Sequence, residues 1–270
     1  VEGIVIRFLN KIYFKVTWDK VGWIFNKLGF VKGRLFFGEY IMKVIEGNSW
    51  EEFEDFVGKF MKELEQEKIN TGKNISLPIY RGQENSSWHL KTTLERKLDL
   101  SFIPLISYER LIKYNLNRVK MMTDNFVDLS TNWVIREREN IKTFPEESLK
   151  TIEYMTWLRH HGLPSPLLDW TKSPFIAGYF AFSPVPKEEN DKIAIFLYSE
   201  YVGEGKGGFV GQEEIISLGH NIKSDKRHFN QQSEYTLCLG KGEYEWGDCC
   251  HEEVFKRGSK RQDYLIKYLP

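Results

Sequence analysis

A chain of 270 residues, 41% hydrophobic and 28% charged, is long enough to bury a sizeable core as one large domain or two small ones. Lys plus Arg and Asp plus Glu each number 38, so the net charge is zero, which excludes whole-surface attraction to nucleic acid but not a local basic patch. Three cysteines, two of them adjacent, exclude a disulfide framework and favour a reducing cytoplasm, and no apolar run reaches the roughly 18 residues a membrane-spanning helix needs.

Residues 1–44 form a basic, aromatic-rich segment ahead of the main body at 45–270. Ile12, Phe14, Val16 and Trp18 alternate like a strand, whereas Val21, Ile24, Phe25 and Leu28 are spaced like a helix. Such a segment can touch phosphate or a membrane surface, but a solvated basic face over an apolar packing face is the plainer reading. No signal-peptide order of charged, apolar and small residues opens the chain. Ser49 followed by Glu52 predicts a capping box, and Phe53, Phe56, Val57, Phe60 and Leu64 continue it as a helix over 50–67.

Leu77 to Gln83 is predicted as a short strand that ends in polar residues, with Gly82 allowing a sharp turn after Arg81. Thr92 to Arg96 opens a helix, and 105–160 is predicted to be mostly helical, with separate helices near 105–119, 126–138 and 145–159. Next comes the most informative stretch, 157–182. It runs through His160, His161, Gly162 and Pro164 to Leu167-Leu168-Asp169-Trp170-Thr171, and then to a helix starting at Ser173-Pro174. Polar groups at a strand end before a helix are a usual place for a site. A packed strand–turn–helix corner with two structural histidines is a slightly better supported reading of the pattern alone. Ile193 to Tyr198 reads as a buried strand, Glu213 to Leu218 as a strand or short helix, Tyr235 to Leu239 as a strand, and the tail from Glu252 as a strand or helix. Cys249-Cys250-His251 has poor spacing for a tetrahedral metal site, and no metal is expected.

Three separated segments resemble one family. Tyr80-Arg81-Gly82-Gln83, followed by Trp88 and Leu94-Glu95-Arg96, resembles the aromatic-Arg-Gly signature of the FRG domain. His160-His161-Gly162-Leu163-Pro164, Leu167 to Thr171, Ser173-Pro174 and Tyr179-Phe180-Ala181 resemble its second block, and Arg227 to Tyr235 its third. The chain departs from the family pattern at Arg159, where Gln is usual before the histidines, and at Ser165-Pro166, where Thr-Arg usually precedes Leu-Leu-Asp. Family members occur in bacterial and phage contexts.

A more distant resemblance, in the order of an Arg-bearing strand, a Leu-Leu-Asp-Trp-Thr strand feeding a helix and a Gln/Glu before a last strand, is to ADP-ribosyltransferases of the Arg-Ser-Glu type. It implies an α+β fold of small split antiparallel sheets around a cleft, with a helical segment between the first and second motifs. It also implies NAD as substrate and a protein or nucleic-acid acceptor, in the setting of a toxin or phage-defence effector. In that frame Arg81 would hold pyrophosphate through its charged fork. Gln231, Gln232 or Glu234 would stand near the anomeric carbon, where a Glu can deprotonate an acceptor and a Gln cannot. Tyr80, Gly82, Gln83, His160, His161, Asp169, Thr171 and Gln232 would line the substrate. An Arg81–Asp169 structural bridge is an equally weighted and compatible reading. Trp88 and Trp170 are core residues before they are stacking platforms. The rival functions are a non-catalytic module binding nucleotide or nucleic acid and, more remotely, a metal-dependent nuclease built on His160, His161 and Asp169.

Overall fold

The computed structural model describes residues 4–7, 13–16, 30–31, 34–35, 42–122, 146–160, 162–183, 192–203, 213–218, 230–242, 246–257 and 263–270. In chain order its elements are β1 (Ile4–Arg7), β2 (Tyr13–Val16), β3 (Phe30–Val31), β4 (Arg34–Leu35), β5 (Lys43–Glu46), α1 (Trp50–Thr71), β6 (Asn74–Ile75) and β7 (Ile79–Gln83). There follow α2 (Thr93–Leu98), β8 (Phe102–Pro104), α3 (Leu105–Met122), α4 (Glu146–His160), β9 (Leu167–Thr171) and α5 (Pro174–Phe182). The last are β10 (Ala194–Ser199), β11 (Val202–Gly203), β12 (Glu214–Ser217), β13 (Ser233–Lys241), β14 (Trp246–Cys249), α6 (His251–Arg257) and β15 (Tyr264–Leu269). The fold is mixed helix and strand with mostly antiparallel pairing, as expected, but β5 and β15 pair in parallel. The helix expected at 126–138 and the helical spacing at 21–28 lie outside the described residues.

Two compact units are interleaved along the sequence. The first comprises Val1–Trp88, Thr171–Lys206 and Ser259–Pro270. Its strands run in the order β5-β15-β10-β7, and β1 pairs antiparallel with β2, as the alternation around Tyr13–Val16 suggests. Helix α1 starts where Ser49 Oγ accepts the Glu52 N–H at 3.2 Å. Only half of the expected capping box forms, because the Glu52 carboxylate takes the backbone N–H of Asn48 at 3.0 Å rather than that of Ser49. The helix runs past the expected end to Thr71 and stops at Gly72, whose φ of 63° is the left-handed conformation a C-terminal cap favours. Phe53, Val57, Phe60 and Leu64 of α1 pack on Tyr80, Ile195, Leu197, Ile266 and Tyr268. Alternation along each strand brings these sheet residues to one face.

Helix α5 shares that core through Ala177 and Ala181, both fully buried. It begins as predicted, with Ser173 Oγ accepting the Ile176 N–H at 3.3 Å and Pro174 at its first turn. Gly82 has a different task from the one its position suggested. The strand continues straight through it, with Gly82 opposite Ile195 and Gln83 opposite Ala194. A Cβ on Gly82 would lie 1.9 Å from the carbonyl oxygen of Ala177 and 2.7 Å from the nitrogen of Ala181, so its bare Cα is what lets α5 lie against β7.

The second unit comprises His89–Trp170 and Gly207–Gly258. Its strand order is β9-β13-β14-β8, with β12 also paired to β13. Leu105, Tyr108 and Ile112 of α3 and Ile152, Met155 and Leu158 of α4 form an aliphatic core with Leu167, Leu237 and Leu239. Residues 214–217 are a strand, and the tail holds both a helix, α6, and a strand, β15. Short β8 and β14 were not foreseen, since Phe102–Pro104 and Trp246–Cys249 show no alternating run long enough to register.

Candidate functional site

Arg81 is the middle residue of β7 and Gln83 its last. Strand β7 pairs with β10 along its length, Arg81 opposite Phe196. Tyr80 pairs with Thr171, the last residue of β9, so the first and second sequence blocks meet directly there. Cross-strand partners share a face and neighbours along a strand alternate. Tyr80 and Gly82 therefore face α1 and α5, while Arg81 and Gln83 are presented on the other face. Tyr80 is buried among the core side chains, its hydroxyl 3.8 Å from the Met61 sulfur, and burial pushes its ionisation up to about 12. It serves packing. Thr171 Oγ1 accepts the Ser173 N–H at 3.1 Å and so helps set the entry to α5. Of the first block, Arg81 is half-buried and Gln83 buried, both on the face of β7 away from α1 and α5.

In the second unit the second and third blocks are joined side chain to side chain. Tyr235 Oη lies 3.2 Å from His160 Nε2. The Trp170 indole N–H donates to Thr236 Oγ1 at 2.7 Å, and the same hydroxyl is 2.8 Å from His251 Nε2. Trp170 is thus core, as expected, but its N–H is tied into a buried polar chain. His161 lies outside the described residues, as do Arg227, His228 and Phe229. Gln231 is half-buried, Gln232 is exposed at a left-handed φ of 47°, and Glu234 is buried at the start of β13. Of the three candidates for the anomeric carbon, Glu234 is the one removed from solvent.

Asp169 is held by a cation that the sequence reading did not assign to the site. Arg159 Nε donates to Asp169 Oδ1 at 2.6 Å, its Nη2 reaches Oδ2, and its Nη1 donates to Thr93 Oγ1 at 2.8 Å. This is the two-pronged geometry that only a guanidinium supplies. Thr93 Oγ1 also accepts the Ser165 N–H at 3.0 Å and is 3.3 Å from the Ser165 carbonyl, to which its own proton can go. The turn before β9 is thereby pinned to the start of α2. Arg159 and Pro166 are both departures from the pattern that the resemblance implies, and Arg159 places a cation on Asp169. Arg96 stands close enough to feel Asp169 and Arg159; partial burial, first, and the neighbouring Arg159 charge lower its basicity.

Beside this group is a pair of buried acids. Thr92 and Glu95 form the capping box of α2, with Thr92 N–H donating to Glu95 Oε2 at 2.7 Å and Glu95 N–H to Thr92 Oγ1 at 3.2 Å. The Thr92 hydroxyl then donates to Asp248 Oδ2 at 3.0 Å. Glu95 and Asp248 are both fully buried, and Glu95 Oε1 and Asp248 Oδ1 have no hydrogen-bond partner among the described residues. Burial, and then the Glu95 charge, push Asp248 well above the usual carboxylate range. Burial raises Glu95 too, against the hydrogen bonds from Thr92. Two carboxylates on one threonine, away from water, favour retention of a proton between them. Glu95 was visible in the Leu94-Glu95-Arg96 run. Asp248 carried no local signal, since its partner is 156 residues away. Among the described residues no group of three or more His, Cys, Asp or Glu side chains is arranged to hold a metal ion.

Compared with known families, residues 76–190 match the model of the FRG domain. This stretch, less than half of the chain, is similar to the FRG domain. Its family match takes in β7, α2 and β9, with the Tyr80-Arg81-Gly82 signature near its start and the Leu167–Thr171 strand with α5 near its end. No curated protein and no solved structure matches the chain. No helix among the described residues is long and apolar enough to cross a membrane.

Proposed function

We propose that the FRG domain binds NAD and transfers its ADP-ribose to a macromolecular acceptor. The observation that carries this reading is the placement of Arg81 and Gln83 on one face of β7, a strand paired with β10 on one side and joined to β9 through Tyr80 and Thr171 on the other. The opposite face is locked by α1 and α5, with α5 in backbone contact at Gly82. A permanently charged fork on so rigid a support suits a pyrophosphate.

In the transfer, the C1′–N bond to nicotinamide breaks, the nicotinamide nitrogen leaves with the bonding pair, and an acceptor nucleophile bonds to C1′ and gives up its proton. The centre passes through an oxocarbenium-like state that nearby carboxylate charge favours. Asp169 is oriented by two nitrogens of Arg159 and can take ribose hydroxyls; a carboxylate such as Glu234 is the type of group that can receive the acceptor's proton. The biological setting that fits a macromolecular acceptor is a toxin or phage-defence effector.

The test is incubation of the protein with labelled NAD and cell lysate. Labelled acceptor or released nicotinamide is expected, and Arg81→Ala should lower the rate by about 100-fold, the scale for losing one preorganised charged donor. Neither transfer nor NAD hydrolysis from folded protein would sink the reading. NAD binding without turnover would instead identify a non-catalytic nucleotide-binding module.

A further inference from the structure

Cys238 and Cys249 lie on the neighbouring antiparallel strands β13 and β14. Leu239 pairs with Asp248 and Gly240 with Gly247, so the next rung sets Cys238 opposite Cys249. Their sulfurs are 3.7 Å apart, and both residues are buried at 0% and 2% exposure. The site is shaped for the thiols: a Cβ on Gly240 would fall 2.3 Å from Cys249 Sγ. The bare glycine leaves the sulfur room on the shared face, and sulfurs on directly opposed strands need move only to about 2.05 Å apart to bond.

We propose that Cys238 and Cys249 are an oxidisable dithiol that closes to a cross-strand disulfide between β13 and β14. The oxidant is a peroxide or a small-molecule disulfide, admitted when the strands open locally. With a disulfide, one thiolate attacks and expels one thiol of the oxidant. The second cysteine thiolate then attacks the mixed disulfide and expels the other, so the protein loses two protons and two electrons and the oxidant leaves as two thiols. With hydrogen peroxide the first product is a sulfenic acid, and the second thiol displaces its oxygen as water. Cys250 is the bystander. It follows Cys249 in sequence, its sulfur is 4.0 Å from the Leu90 carbonyl, and burial pushes its thiol up to about 12, which keeps it in the unreactive protonated form. The bond would tie the strand that holds Tyr235 and Thr236 to the strand that holds Asp248.

The experiment treats the full chain with oxidised glutathione or hydrogen peroxide, blocks remaining thiols in denaturant, and maps linked peptides by mass spectrometry without reduction. The expected product is an intramolecular Cys238–Cys249 link, lighter by two hydrogens, with Cys250 recovered as the blocked thiol. The oxidised protein should melt at a higher temperature, and reductant should reverse the shift. Cys250→Ser should retain both link and shift, while Cys238→Ser and Cys249→Ser should each lose them. Recovery of three free thiols, a link through Cys250, or a disulfide dimer would overturn the proposal.

Discussion

The first unit relies on aromatic packing and close backbone approach, whereas the second threads polar side chains through an aliphatic core. In the first, the Trp50 ring lies 5.1, 5.9 and 6.1 Å from those of Phe53, Phe175 and Phe182. A Cβ on Gly178 would meet that Trp50 ring at 2.5 Å, so helix α5, like β7, is fitted by omitting a side chain. In the second, Thr92, Glu95, Thr236, Asp248 and His251 are all buried within a unit whose core is otherwise leucine, isoleucine, tyrosine and methionine. Packing of the first kind supports a site from behind. Buried polar groups of the second kind cost desolvation unless fully partnered, and two acid oxygens here are not. The second unit therefore holds a pair of incompletely partnered acids inside its own core.

The sharpest way to break the first unit is Gly82→Ala. The added methyl meets helix backbone, which cannot move aside as a flexible side chain would. A loss of about 3 kcal/mol or more is expected from chemical denaturation. Gly58→Ala in α1 is its control: nothing lies within 4 Å of that Cβ, and stability should rise by about 0.5–1 kcal/mol. Equal effects at the two positions would deny that close approach holds α5 to β7.

In the second unit, Arg159→Ala removes the fork from Asp169 and the donor from Thr93 together. We expect a loss of about 2 kcal/mol, the scale of hydrogen bonds to charged groups. Arg159→Lys should recover less than half, since an ammonium cannot hold both carboxylate oxygens in the same way. Full rescue by lysine, read from urea midpoints, would reduce the contact to simple charge pairing.

The smallest effect concerns pH. Glu95 and Asp248 have folded-state ionisations raised above their unfolded values. The folded state therefore binds more protons than the unfolded one above about pH 4, and stability is fully present below the unfolded carboxylate range and falls as pH rises through the raised values. Asp248→Asn keeps an oxygen for the Thr92 hydroxyl but cannot ionise. Its stability should decline less than that of the unaltered chain as pH rises above the unfolded carboxylate range. Unfolding midpoints with unchanged pH dependence would show that the pair does not carry the proton difference.

Much of the fold was legible because its signals are local. A cap and the N–H it accepts are three residues apart at Ser49, Thr92 and Ser173, and helical periodicity marked Phe53 to Leu64. The FRG signature was legible for the same reason, as contiguous runs at Tyr80-Arg81-Gly82 and Leu167 to Thr171. Tertiary structure decided the rest. It assigned Gly82 to helix packing rather than a turn, because that role depends on Ala177 and Ala181 in a later element. It gave Asp169 to Arg159, joined Trp170 to Thr236 across 66 residues, and set Asp248 beside Thr92 across 156. The register of β13 and β14 also separated the three cysteines into a facing pair and a bystander. Charge, hydrogen bonding and reactivity at these positions depend on which distant groups replace water around them, and no spacing along the chain encodes that.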